Sequence, residues 1–307
     1  MKKQLPVALS GLILLCGCTT QPTPTEGYTF TDAAGVQITL PEKLERVAVL
    51  FSSYADVWQL AGGAVSVTVG ESVTRGICPE GTPLVDDGAG KTIDMEALLS
   101  YEPDFVICSA TLEGQISAAE ILNENGIPCA RFSIESFDDF YRMLAICTDI
   151  TGDKQALETY GDRQRERISS ILSETHSEES VLFIRSASSR KSTKTLSSSD
   201  NFAASMLSEF GLNNIADGCA ILAESLNVEY ILTQDPTYIF FTVMGDETAG
   251  KNNMYSMLEE DIWSELTAVK EGRVFYLPKS TFQYKPTDGW ADAYAFLAEK
   301  INGEKIR

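Results

Sequence analysis

The sequence predicts an α/β protein of two Rossmann-like lobes with parallel central sheets. Three observations lead there. Apolar, β-branched runs alternate with stretches of helical periodicity, the pattern of parallel sheets flanked by helices. About 280 residues remain after the N-terminal leader, more than one hydrophobic core comfortably fills. A weak internal repeat relates the two halves. Met95-Glu96-Ala97-Leu98-Leu99 with Pro103 and the run from Phe105 matches Val228-Glu229-Tyr230-Ile231-Leu232 with Pro236 and the run from Tyr238. In both copies a short helix, a proline break and a buried strand follow one another.

The chain begins as an exported protein would. Met1-Lys2-Lys3 is positive, and residues 5–15 are apolar apart from Ser10 and Gly11. That run is about half the length of a membrane-spanning helix, so it reads as the core of a secretory signal. Leu15-Cys16-Gly17-Cys18 resembles a bacterial lipobox. Residues 1–17 are expected to be removed and Cys18 to carry the lipid; at Cys16 the bulky Leu15 would precede the cut. Residues 18–27, rich in Pro and Thr, suit a tether from membrane to domain.

The first lobe is expected over residues 28–152, with strands at 47–51, 66–69 and 105–108 and a fourth introduced by Gly126-Ile127-Pro128. Ser52 or Ser53 is expected to cap the helix after the first strand, which Gly62-Gly63 ends. Residues 153–176 combine good helix formers and many charges with few apolar positions. Some 20 helical residues span about 30 Å, and Gly161 permits a bend. The segment reads either as a rigid connector between lobes or as one more surface helix. The second lobe, 177–307, carries strands at 181–184, 238–243 and 274–277 and a closing helix at 288–301.

A net charge of −20 argues against nucleic acid and against an anionic membrane surface as partners. Beyond Cys16 and Cys18, five cysteines lie at irregular spacing with no Cys-x-x-Cys, so no disulfide framework is expected. The single histidine, His176, excludes a three-histidine zinc site and makes Ser-His-Asp chemistry improbable. Gly-x-Ser-x-Gly, a phosphate loop, His-Glu-x-x-His and Gly-x-Gly-x-x-Gly are all absent. No resident metal or cofactor is expected.

Across residues 28–303 the chain resembles the periplasmic-binding family for ferric siderophores, haem and cobalamin. Residues 32–41 resemble its opening β-hairpin. Ile93-Asp94-Met95-Glu96 with Glu102-Pro103-Asp104-Phe105 resembles its helix–strand unit, and Gly211-Leu212-Asn213-Asn214-Ile215 a piece of its second lobe. The resemblance implies two lobes joined by one long rigid helix, matching residues 153–176, with a ligand cleft between them. It implies a monomeric binding protein, held to the membrane by its lipid, that hands an iron complex or corrinoid to an ABC permease dimer with its ATPase. The rival is a cell-surface lipoprotein enzyme or a chelatase-like protein on the same plan.

Ligand contacts in such lobes come from loops after the strands. Arg185, Arg190, Lys191 and Lys194 fall within ten residues of a strongly acidic chain, and guanidinium donors suit the anionic oxygens of a chelate. Arg75 answers from the other lobe. Tyr54, Phe282 and Tyr284 are candidates for flat walls or for lobe core, and Met244 follows a strand. The resemblance further implies that an exposed glutamate on each lobe docks to permease arginines; Glu96 and Glu229 hold matching places in the repeat.

Overall fold

The computed structural model describes residues 27–87 and 92–303. Cys18 and the leader lie outside the described residues. Among the described residues no helix is long and apolar enough to cross a membrane.

The chain opens with an antiparallel hairpin, β1 (Thr29–Thr31) and β2 (Gln37–Thr39). Asp32 makes the turn by accepting hydrogen bonds from the backbone N–H groups of Ala34 and Val36. The first lobe is built on β3 (Val47–Val49), β4 (Val67–Thr68), β5 (Phe105–Ser109) and β6 (Cys129–Phe132). They form a fully parallel sheet in the order β4-β3-β5-β6. The second lobe is built on β7 (Ser180–Ser186), β8 (Lys194–Thr195), β9 (Asn213–Asn214), β10 (Tyr238–Val243) and β11 (Val274–Tyr276). Its order is β11-β10-β7-β8, with β9 also paired to β7. Only β8 runs antiparallel, because the basic loop after β7 turns back onto that strand.

The helix after β3 runs over Ser52–Leu60. Neither serine caps it: Phe51 is the N-cap residue and no side chain completes the cap. The serine hydroxyls are committed elsewhere, as described below.

Residues between the lobes are helical over Lys154–Leu157 and Arg163–Glu174, with a π-helical turn at Glu158–Asp162 between them. Gly161 sits in that turn, where a Cβ would come within 2.9 Å of the Tyr141 ring. The wider turn and the missing side chain admit the tyrosine, whose hydroxyl donates to Asp162 at 2.8 Å. The segment docks on the closing helix Trp290–Asn302 through Gln164, whose Oε1 accepts from the Ala291 N–H, and through an Arg167–Asp292 ion pair.

Apolar packing joins the two lobes. Each sheet has a private outer core, around Val67, Val106 and Leu122 in the first lobe and Ile184, Ile239 and Trp263 in the second. The inner faces share a single core. Its middle is aromatic: Trp290 lies 6.0 Å from Phe137 and 5.8 Å from Phe202, ring centroid to centroid. Separating the lobes widely would expose these rings, each worth roughly 1.5–3 kcal/mol of burial.

Candidate ligand cleft

The carboxyl ends of both sheets converge on the same gap. Residues just after β3 and β6 meet residues just after β11 across it. Arg75 directs one guanidinium nitrogen to Ser52 Oγ at 2.8 Å and to Ser53 Oγ at 3.1 Å. Its guanidinium carbon lies 4.1 Å from the centre of the Tyr284 ring in the opposite lobe. Ser52 Oγ in turn donates to Glu71 at 2.5 Å. The next residue, Lys285, reaches Glu135 with Nζ–Oε2 at 3.1 Å, and its backbone N–H points to Ser53 Oγ at 3.4 Å. Four consecutive residues, Tyr284 to Thr287, thus strap the second lobe to the first. Thr287 carries a left-handed backbone (φ +53°) while buried, a conformation that a β-branched residue adopts only when its surroundings impose it.

Arg185 lies near the carboxyl end of β7 in the second lobe. On β7 it continues the face that carries Val181 and Phe183 into the shared core. The core ends at Arg185, leaving the guanidinium half-buried near the strand end. Among the described residues it has no carboxylate in ion-pair range and no side-chain hydrogen bond. Burial alone pushes its pKa down. Thr242, its parallel neighbour on β10, is fully buried, and its hydroxyl lacks a hydrogen-bond partner. A desolvated cation and an idle buried hydroxyl, side by side, are costly unless something binds them.

The sequence profile of the periplasmic binding protein family matches residues 47–281. This chain belongs to that family. The Fe(3+) dicitrate-binding periplasmic protein FecB of Escherichia coli (strain K12) is 20% identical over 274 residues, spanning 88% of this chain and 86% of that protein. Among solved structures, the catecholate-siderophore binding protein VctP from Vibrio cholerae superposes with a TM-score of 0.71 at 17% identity, covering 90% of this chain and 99% of that one. IsdE of S. aureus, solved in complex with heme, gives 0.69 at 15% identity and covers 84% and 99%. These likenesses show a shared fold of two α/β lobes with a cleft between.

Within that family frame, the expected site residues separate into groups. Arg75 and Tyr284 meet between the lobes, and Arg185 stands half-buried near the carboxyl end of β7. Tyr54 and Phe282 are core, 2% and 1% exposed, and offer no wall to a ligand. The Tyr54 hydroxyl donates to the Phe132 carbonyl at 2.9 Å, and Phe282 packs on Phe296. Arg190 departs from the expectation because its charge is already met by Glu260. Lys194 stands opposite Arg185 in the β7–β8 pair and is exposed; with Arg190 and Lys191 it lines a surface pocket closed by residues 222–226. Met244 is exposed just after β10.

Glu96 and Glu229 are exposed, each in the first turn of a short helix, Met95–Ser100 and Val228–Gln234. Asp94 and Asn227 cap those helices by accepting from Ala97 N–H and Tyr230 N–H.

Glu135, Lys279 and Lys285 lie in loops after strands, 132–136 and 279–286, where the sequence places ligand contacts without singling these residues out; Lys279 Nζ lies 5.5 Å from the Tyr284 ring centre. Thr242 falls outside those loops, the one polar residue of the apolar strand Tyr-Ile-Phe-Phe-Thr-Val.

Proposed function

We propose that this chain is an extracytoplasmic solute-binding protein that captures an anionic iron complex, a ferric siderophore, and delivers it to an ABC permease. The observation that carries the reading is Arg185, half-buried, unpaired and beside the idle Thr242 hydroxyl at the cleft. An anionic chelate oxygen would pair the Arg185 guanidinium. The names of the relatives point the same way: one binds Fe(3+) dicitrate and one a catecholate siderophore. Cys18 would anchor the protein at the outer face of the membrane, and Glu96 with Glu229 would dock the two lobes to the permease. Arg75 and Tyr284 close the cleft from opposite sides.

Calorimetric titration of the unlipidated protein tests the reading against ferric dicitrate, a ferric catecholate, haem and cobalamin. One-to-one binding of an anionic ferric chelate is expected. Binding of cobalamin alone, or of none of the four, refutes it. In a reconstituted importer, Glu96→Ala combined with Glu229→Ala should leave chelate affinity intact and lower transport sharply; normal transport would remove the docking role.

A further inference from the structure

The pair that ties the strap to the first lobe is asymmetric. The Lys285 side chain is 13% exposed, whereas its partner carboxylate, Glu135, is 43% exposed. Lys285 Nζ sits 4.5 Å from the centre of the Phe202 ring of the shared core, and burial pushes its pKa down. Glu135 lies three residues beyond β6, in a loop after the sheet's carboxyl end. Its carboxylate is the one acidic group within ion-pair range of Lys285 among the described residues. The lysine's backbone is held independently of that carboxylate: its N–H points to Ser53, Tyr284 packs on Arg75, and the Thr287 hydroxyl donates to the Lys285 carbonyl at 3.1 Å. A fixed, desolvated cation is thus paired with an acid that water already reaches.

We propose that Glu135 stands in for the ligand: it neutralises Lys285 while the cleft is empty and is displaced when a chelate brings its own anionic oxygen to Nζ. The inference rests on the proposed function and adds to it a specific exchange of one carboxylate for another. It makes Lys285 a specificity-determining residue for anionic over neutral chelates, because only an anion repays the loss of Glu135. It also reverses the usual expectation for a polar residue in a binding cleft, since removing the Glu135 charge should strengthen binding.

The test is calorimetric, with ferric dicitrate and a neutral ferric trihydroxamate as probes. The proteins are wild type, Glu135→Gln, Lys285→Met and the double variant, with Glu135→Ser as a second replacement should the glutamine variant fold poorly. Glu135→Gln should bind dicitrate about tenfold more tightly, the scale of one charge-assisted hydrogen bond, with trihydroxamate affinity unchanged. Lys285→Met should weaken dicitrate binding, and in the double variant the gain from Glu135→Gln should vanish. An unchanged or weaker dicitrate affinity in Glu135→Gln overturns the exchange and marks the pair as a plain interlobe tie. A gain that persists without Lys285 also overturns it, because the effect would then be the general field of one lost negative charge. A wild type that binds trihydroxamate but not dicitrate overturns it as well. A wild type that binds no ferric chelate removes the proposed function, and the exchange with it.

Discussion

Arg75 and Arg185 belong to different lobes, each beyond or near the carboxyl end of its sheet, and are both half-buried. Burial pushes both guanidinium pKa values down. Their surroundings are opposite. Arg75 has two serine hydroxyls and the face of Tyr284, with Glu71 and Asp56 close by. Arg185 has no such partner among the described residues. Desolvating a guanidinium is costly in either place. Around Arg75 the cost is offset within the protein, and the residue works as a clamp between lobes. At Arg185 the cost stands, which is the arrangement expected of a cation kept for an anion that arrives later.

The comparison can be broken by measuring stability. Arg75→Met should lower the unfolding free energy by about 1–3 kcal/mol, since it removes two hydrogen bonds to serine hydroxyls and a cation–π contact between the lobes. Arg185→Met should leave stability unchanged or raise it slightly, as replacing a buried unpaired charge by an apolar chain often does. Urea denaturation of the two variants decides. Equal losses would mean that Arg185 has stabilising partners after all.

Thr242→Val sharpens the same point. Valine has nearly the shape of threonine, and the hydroxyl it removes is buried without a partner. The variant should gain about 1 kcal/mol in stability. A loss would show that the hydroxyl is satisfied in the folded protein.

The smallest effect separates the two copies of the internal repeat. Glu102 and Asp235 both adopt left-handed backbone directly before a proline, at φ +46° and +42°. Whereas the Glu102 carboxylate has a solvent-exposed 3.9 Å ion pair with Arg46, Asp235 accepts from Thr267 N–H at 2.8 Å and from the Thr267 hydroxyl at 2.7 Å. Those bonds hold its carboxyl below the usual aspartate range. The contribution of a carboxylate with lowered pKa is present above the unfolded value and fades as pH falls through the folded one. Asp235→Asn should therefore cost under about 1 kcal/mol at neutral pH, given its exposure. The deficit should shrink below about pH 4. Glu102→Gln should cost nothing measurable. Thermal melts across pH 3–7 check both, and a deficit that grows towards acid would contradict the assignment.

What was legible in the sequence follows from what a sequence encodes locally. The strands declared themselves as β-branched runs, and the repeat was visible because both copies use the same grammar: an Asx cap, a glutamate two residues on, a buried Leu98 or Ile231, and a proline before the strand. The antiparallel β8 was not legible, since it has two residues on a sheet edge and no periodicity to show. Tyr54 and Phe282 were ambiguous because an aromatic ring beside a strand end serves a core or a cleft equally well; the neighbours that decide it, Phe132 and Phe296, are distant in sequence or in another element. The serines after β3 looked like caps because serine usually caps there, and only the fold reveals Arg75 as the competing donor. Glu135 and Lys285 lie 150 positions apart, and no local pattern announces such a pair.

On the proposed function, Arg185 holds its charge for an anionic ligand while Arg75 commits its charge to the fold. The test is the calorimetric affinity of Arg185→Met for the tightest-binding anionic ferric chelate, with a neutral ferric chelate as reference. A loss of about 1.5–3 kcal/mol is expected for the anionic chelate, the scale of a hydrogen bond to a charged group, with the neutral chelate and the folded stability unaffected. Undiminished affinity for the anionic chelate in a folded Arg185→Met protein would contradict it.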